Sequence, residues 1–231
     1  MEKNTLLKTS ALPVFSKMKK GDMFPAIKFL VDENKSIIAK IETLKVPTWN
    51  NLVYKLEESD DKISKAWAPI RHLNSVMNDK EIRAQYEKSL NLLTSHYGKI
   101  GQNKKLFSQY KKLYEQNRES LTQSQNKLLE NILRGFRLSG VHLDAKKRKL
   151  FRGCQEKLAK LESKFEQNIL DSSNSWTKNF KTINPLKGIP QSALEIAEET
   201  AAKRNEVGYT CLLYTSPSPR DRTRSRMPSS A

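Results

Sequence analysis

Three histidines carry most of the metal-binding capacity of this 231-residue chain. A helical zinc peptidase needs two histidines one turn apart, so that both imidazoles meet one ion, and a glutamate beside the first as base for the bound water. The histidines here lie 24 and 46 residues apart, and each is followed by leucine or tyrosine: His72, His96 and His142. We therefore predict surface or capping roles for all three, and we assign no catalytic, cofactor-binding or metal-ligating residue to this chain.

Other residues with chemical potential are also better explained by structural roles. Gly135–Gly140 has the glycine spacing of a phosphate-binding loop, but Val141–His142 stands where a lysine and a hydroxyl residue are required. Cys154 falls on an apolar helical stripe, which predicts a core position rather than a nucleophile. Two acidic pairs, Glu57–Glu58 and Asp60–Asp61, fall on the predicted solvent side of a helix, so they do not form an acid and base couple.

A basic run at Lys146–Lys149, extended by Arg152, gives the chain a local positive surface. If Asp144 caps the helix that follows, these cations lie in its first turn, where the helix dipole disfavours positive charge. A nucleic-acid site would use such a patch, but no interleaving of aromatic and basic residues accompanies it. A solvated helix face is therefore the favoured interpretation.

The composition favours helices over strands. Eight glycines are about half the number expected at this length, which argues against a turn-rich sandwich or barrel. The 42 lysines and arginines against 25 acidic residues give a net charge of +17, and 37% of the residues are hydrophobic, enough for a core. There is no membrane-length apolar run or apolar signal region, and two cysteines are too few for a disulfide framework. We expect a soluble cytoplasmic protein.

Apolar residues that recur every three or four positions predict consecutive helices in an all-α layered bundle. The first stripe runs from Ile27 to Leu44, and the second follows a Thr48 cap, with Pro69 expected to kink or divide its helix. No segment shows the sustained alternation of a strand. The later helices are predicted to begin at Asn78 with Glu81, near Leu106, at Thr122 with Gln125, at Asp144, and at Ser192 with Glu195; glycines 98 and 101 should end the third, and Gly140 the fifth.

The sixth helix is predicted to be long and to pack along an apolar seam. Five residues at alternating spacings of three and four form this seam: Phe151, Cys154, Leu158, Leu161 and Phe165.

The composition changes at Cys211. Serine, proline and arginine dominate residues 211–231, and no helical or strand period survives there. The stretch is similar to translated adapter or vector sequence, so we treat it as a non-native, disordered tail, although a native basic tail would share its composition. Residues 1–210 are then predicted to form one helical amino-terminal domain with a net charge of +14.

Short motifs in order along residues 12 to 209 resemble the amino-terminal region of the thimet oligopeptidase family of zinc metallopeptidases. The motifs include Leu12–Lys17, Pro47–Leu52, Ala66–Val76, Gly101–Asn103, Leu129–Val141, Leu161–Phe165, Asn168–Asp171, Ser175–Thr177 and Gly188–Leu194.

The resemblance implies a helical enzyme with two lobes around a channel that admits short unstructured peptides. It also implies one zinc ion, held by the two histidines of an HExxH motif and a downstream glutamate. The likeness stops at Tyr209–Thr210, before the segment that carries this motif in the family. We therefore expect part of the non-catalytic lobe, inactive alone and without bound zinc, whose partner is the missing catalytic lobe of the same chain.

Two other function classes remain open from the sequence. A basic helical protein that associates with nucleic acid or the ribosome would account for the charge, but not for the ordered motifs. A helical adaptor would use the seam from Phe151 to Phe165 as a partner surface. Neither a membrane nor a nucleic acid is the expected partner.

Overall fold

The structure, a computed structural model, describes residues 4–8, 12–77 and 79–212, and within these ranges it is built almost entirely from helices. The predicted all-α fold class is confirmed. The α-helices are α1 (Met23–Ile41), α2 (Lys55–Val76), α3 (Lys80–Gly101), α4 (Lys104–Asn117), α5 (Gln123–Leu138), α6 (Ala145–Ser175) and α7 (Gln191–Lys203).

Several helices begin where the sequence predicts, because a local side chain satisfies the free amides of the first turn. Thr122 and Gln125 form a capping box at the start of α5. Asp144 Oδ1 accepts a hydrogen bond from the Lys147 amide at 2.8 Å, which caps α6. Thr48 forms a capping box with Asn51 at the start of a π-helical turn that leads directly into α2.

Other predicted helix boundaries are wrong. Pro69 does not divide α2, which continues to Val76, and a kink at this proline stays a prediction. Gly98 does not end α3, but Gly101, the second glycine predicted to end it, is its last residue. Asp79 caps α3 by accepting from two backbone amides, and the predicted start at Asn78 lies outside the described residues. Packing of the apolar face outweighs the local cost of a proline or glycine inside these helices.

Helix α7 also differs from its prediction, because it begins after Pro190 and Ser192 makes no cap. Proline is compatible with a helix start, because its fixed φ suits the first turn. The backbone amides at a helix start have no acceptor within the helix, so the absence of an N–H group costs no hydrogen bond there.

Residues 1–161 form the first of two compact units, and apolar faces of its helices fill two clusters. In the first cluster, α1, α2 and α3 pack together through residues such as Ile27, Ile63 and Ile82, all at most 1% exposed. In the second, the end of α1 and the π-helical turn pack with α4 and α5 through residues such as Leu52, Leu106 and Leu129, which are fully buried. Gly140, at φ +82°, ends α5 as predicted, because this left-handed conformation suits glycine.

Residues 162–231 form the second unit. Its described part contains an antiparallel pair of strands, although no strand was predicted from the sequence. Strand β1 (Thr177–Phe180) pairs with β2 (Tyr209–Leu212), and α7 packs on β2. Four residues are too few to show sustained alternation. Gly208 precedes β2 at φ +95°, and a β-carbon there would lie 2.2 Å from the Phe180 carbonyl oxygen, so only glycine fits. Cys211 and Leu212, assigned above to the tail, are the last two residues of β2.

The predicted packing of the α6 seam is wrong for the described chain. Cys154 is exposed, and the side chains of Leu158, Leu161 and Phe165 are 56%, 55% and 66% exposed. The spacing does place these residues on one face of the helix, but that face has no cover. We call Leu158, Leu161, Phe165 and Ile169 the α6 apolar row; Ile169 is also exposed.

Candidate functional site

The three histidines lie apart, and one of them contradicts the prediction of surface or capping roles. His72, on α2, is exposed and packs its ring 5.5 Å from that of Phe15. His142 is also exposed and meets the ring of Phe107 edge-on at 5.2 Å. His96, on α3, is only 4% exposed. The signal for its burial is present in the sequence, since His96 follows buried Leu93 by three positions on the apolar face of α3.

His96 belongs to a buried polar cluster that joins α1, α2 and α3. Its Nε2 lies 2.9 Å from Asn34 Oδ1, and donates because the amide oxygen can only accept. Asn34 Nδ2 donates onward to Ser59 Oγ at 2.9 Å and to Asp60 Oδ1 at 3.3 Å. The Tyr97 hydroxyl also donates to Asp60, at 3.4 Å. The three helices are therefore tied by polar contacts at one level of their packing.

Burial changes the acid–base behaviour of this cluster. It lowers the pKa of His96 to about 4, with a further contribution from the positive charges of Lys35 and Lys99. It raises the pKa of Asp60 to about 6, with the negative charge of Glu57 adding to the effect. Asp60 is half-buried in the structure. This corrects the prediction that both members of the pair Asp60–Asp61 face solvent. Burial also raises the pKa of the Tyr97 hydroxyl.

These residues do not fit the zinc ion of the thimet oligopeptidase family. His96 Nε2 carries a proton and donates it in a hydrogen bond to Asn34 Oδ1, so this nitrogen offers no lone pair to a metal. Over the described ranges, no three His, Cys, Asp or Glu side chains come together in a way that could hold a metal ion.

The glycines of Gly135–Gly140 and two cations of the basic run Lys146–Lys149 have structural roles. Gly135 lies inside α5, and Gly140 ends it, so Gly135–Gly140 forms no phosphate loop. In the basic run, Lys147 pairs with Asp144 at 3.6 Å, and half-buried Arg148 donates to the Gln102 carbonyl at 3.3 Å. Two of the four cations are therefore engaged within the protein, which weakens the interpretation of a free nucleic-acid surface.

The α6 apolar row is the functional surface that the geometry favours most. Lysines and glutamates lie between its members in the sequence. Three of its four side chains are more than half exposed, and exposed large apolar side chains favour an interaction site. The class of protein so defined is an all-α domain with its own core, no metal site in the described residues, and an apolar helix face open to a partner.

Comparison with known proteins places this domain in a family. The model of the family "Neurolysin/Thimet oligopeptidase, N-terminal domain" matches residues 27–148. The chain belongs to this family. It is 35% identical to oligopeptidase A of Haemophilus influenzae over 209 residues, and 32% identical to oligopeptidase A of Salmonella typhimurium and of Escherichia coli over 212 residues.

The coverage of these matches is unequal. They span 89–91% of this chain, but only 30–31% of the bacterial relatives. In the described part of the chain, no helix combines the length and apolarity that crossing a membrane requires.

Proposed function

We propose that this chain is the amino-terminal, non-catalytic part of a zinc-dependent metalloendopeptidase that hydrolyses short unstructured peptides. The observation that carries the proposal is the family match, together with the 30% share of the Haemophilus relative that the chain spans. In this proposal, the zinc ligands and the HExxH motif belong to the part of the enzyme that has no counterpart among residues 1–231. When bound there, zinc would activate water for cleavage of the peptide bond.

The role of this part is to form one wall of the substrate channel and so to limit the size of the substrate. Two buried clusters support such a role, because they make a rigid scaffold from the helices of the first unit. The α6 apolar row supports the proposed association with a catalytic lobe. In this proposal, the catalytic lobe covers the row. Covering Leu158 and Phe165 removes apolar area from water and so favours association of the two lobes.

The proposed location is the cytoplasm. Cys154 and Cys211 are free thiols, and Cys154 is exposed. An exposed thiol is compatible with the reducing conditions of the cytoplasm. Nucleic acid is not the proposed partner, because half-buried Arg148 of the basic run is engaged in a hydrogen bond to the Gln102 carbonyl and Lys147 forms a surface ion pair with Asp144.

Reconstitution from two polypeptides tests the proposal. The chain would be combined with the complementary carboxyl-terminal part of oligopeptidase A of Haemophilus influenzae, refolded together in the presence of zinc. We expect a stable complex that holds one zinc ion and cleaves a fluorogenic peptide of about ten residues. The catalytic part alone should bind zinc but cleave with altered size selection, because the channel wall is absent.

The chain alone is the essential control. It should show no stoichiometric zinc and no cleavage. Tightly held zinc or peptide hydrolysis by the chain alone would contradict the proposed division of labour, and failure of the two parts to associate would contradict the proposed interface.

A further inference from the structure

The α6 apolar row lies between two flanks of opposite charge. Lys157 and Lys164 lie along one side of the row, and Glu162 lies along the other. All three side chains are exposed, and none of them forms an ion pair with a residue that the structure describes. An apolar row with charged flanks is the arrangement by which the helices of a coiled coil select a partner and an orientation.

The spacing of the apolar residues defines the positions of α6 in a heptad, lettered a to g. Alternating steps of four and three place Leu158 and Phe165 at a positions and Leu161 at the d position between them. The two flanking lysines then occupy g positions, and Glu162 occupies an e position. The contact surface of a coiled coil consists of these four kinds of position.

The flanks of α6 are complementary to those of a second copy of the same helix. In a parallel pair of helices, a g residue of one helix lies beside the e residue that follows in the next heptad of the other. Lys157 of one copy therefore meets Glu162 of the second copy, and two-fold symmetry gives this contact twice. In an antiparallel pair, g residues meet g residues, so Lys157 would meet Lys164 of the second copy. The charges thus favour a parallel pair.

A polar residue at the end of the row favours the same arrangement. The d position after Phe165 holds Asn168, which is exposed. In a parallel pair in register, Asn168 faces Asn168 of the second copy, and the two amides can donate to and accept from each other. In an antiparallel pair, it would face the ring of Phe151, which offers no such partner. One polar layer of this kind specifies the register of a coiled coil.

We propose that two copies of this chain associate through the α6 apolar row as a parallel pair of helices in register. Leu158, Leu161 and Phe165 of each copy pack against the same residues of the other and so leave water. The contact is short, so the association is weak, with a Kd of about 50 µM and mainly monomer near 1 µM. The row cannot serve two partners at once, so a paired chain is closed to a catalytic lobe until the pair dissociates.

Sedimentation equilibrium on the full 231-residue chain tests the association. Salt at 0.15 M limits the repulsion that arises from the net charge of +17, because the Debye length is then about 8 Å. We expect monomer near 1 µM and mainly dimer near 500 µM, whereas the double variant Leu158→Gln and Phe165→Gln should stay monomeric. A wild-type chain that stays monomeric, or a double variant that pairs as tightly, would overturn the proposal. The catalytic lobe is absent from this experiment, so its outcome is independent of the proposed function.

Charge reversal separates specific pairing from general adhesion of apolar side chains. Lys157→Glu places two carboxylates at each flank contact and should weaken the association about tenfold. Adding Glu162→Lys restores opposite charges and should return the Kd to within about threefold of the wild type. Lys160→Glu, the same change at an exposed position outside the contact, should leave the Kd unchanged. No weakening by Lys157→Glu, or no recovery in the swapped variant, would overturn the proposed pairing.

Cys154 reports the orientation, because it is exposed and occupies the d position before Leu158. Cys211→Ser in every protein leaves one thiol per chain. The parallel pair brings the two Cys154 Cα atoms within the distance of about 7 Å that a disulfide requires, whereas the antiparallel pair separates them by about 16 Å along the axis. Diamide, which takes two electrons and two protons from two thiols, should therefore link most of the chain at about 200 µM. Absence of the linked dimer, or equal linkage in the Leu158→Gln and Phe165→Gln variant, would overturn the proposal.

Discussion

Helices α1 and α6 carry the same kind of apolar pattern but have opposite environments. On α1, Ile27, Val31 and Ile38 are buried against neighbouring helices. On α6, Leu158 and Phe165 repeat with the same spacing and are more than half exposed. The difference shows that periodicity identifies an apolar face, while the presence of a partner decides whether that face is covered. For α6, we propose that the partner is the catalytic lobe.

Truncation of a core side chain should give the largest effect in this comparison. Leu129→Ala removes a fully buried leucine of the second cluster, and we expect a loss of about 2–5 kcal/mol in the free energy of unfolding. Leu158→Ala, the same substitution in the α6 apolar row, should cost no more than about 0.5 kcal/mol because its side chain is already largely in water. Urea denaturation followed by circular dichroism measures both, and equal losses would contradict the contrast between the two faces.

The buried cluster should give the next largest effect, and one that depends on pH. Because the folded pKa of Asp60 is raised from 3.8 to about 6, the folded state binds the proton more tightly than the unfolded state. The contribution of Asp60 to the free energy of unfolding therefore falls as the pH rises from about 4 to 6. Above pH 6 the ionised carboxylate destabilises the folded state to its full extent. Asp60→Asn removes that cost, so we expect a gain of about 1–2 kcal/mol at pH 7.5, reduced for partial exposure.

The pH dependence of the gain is the sharper test. Near pH 4 the folded-state carboxyl of wild-type Asp60 is protonated and the unfolded one is already partly protonated, so the difference in stability between the variant and the wild type should be much smaller than at pH 7.5. The neighbouring Asp61→Asn is the matched control, because Asp61 is exposed and pairs with Lys65 on the same helix. It should change stability by less than about 0.5 kcal/mol at either pH. Urea titrations at pH 4 and 7.5 distinguish the outcomes, and a pH-independent gain would contradict the raised pKa.

Loss of the α5 cap should have a smaller effect. Thr122→Ala leaves the Gln125 amide without its 3.3 Å hydrogen bond, and we expect a loss of about 1 kcal/mol. Ser124→Ala, an exposed change in the same first turn, controls for the hydroxyl itself and should be close to neutral. Thermal denaturation of the three proteins compares them, and equal melting temperatures for Thr122→Ala and wild type would exclude a stabilising cap.

Removal of the exposed apolar row should have the smallest effect on the chain alone. The double substitution Leu158→Gln and Phe165→Gln takes two side chains that already face water and makes them polar. We expect a change in unfolding free energy of less than about 0.5 kcal/mol, together with weaker binding of the dye ANS. A large loss of stability would mean that the row is packed within the chain after all.

The sequence predicts the features that depend on neighbouring residues along the chain. Thr122, Asp144 and Gly140 act within one turn of their own position, so the predicted ends of α5 and the start of α6 are confirmed. Features that depend on distant elements were missed. The hydrogen-bond partner of His96 is Asn34, which is 62 positions away, and the strand pair joins two segments about 30 residues apart.

The candidate site was predicted less well than the fold, for the same reason. The spacing on α6 correctly groups Leu158 and Phe165 on one face, but it gives no information on the missing cover. Likewise, Pro69 does not divide α2, one of its two predicted effects, because the helix continues through it to Val76. A single sequence records which face a residue occupies, but not what stands opposite.

Reconstitution with the α6 row altered tests the central claim most directly. Wild-type chain, the Leu158→Gln and Phe165→Gln double variant, and a matched Lys157→Gln and Lys164→Gln double variant would each be refolded with the complementary part of oligopeptidase A from Haemophilus influenzae. The measurement is the affinity of each chain for that part, by titration calorimetry. The account predicts that the first double variant binds at least about 100-fold more weakly while the lysine variant binds like the wild type. Equal affinity for all three chains would contradict the claim that the catalytic lobe covers the α6 apolar row.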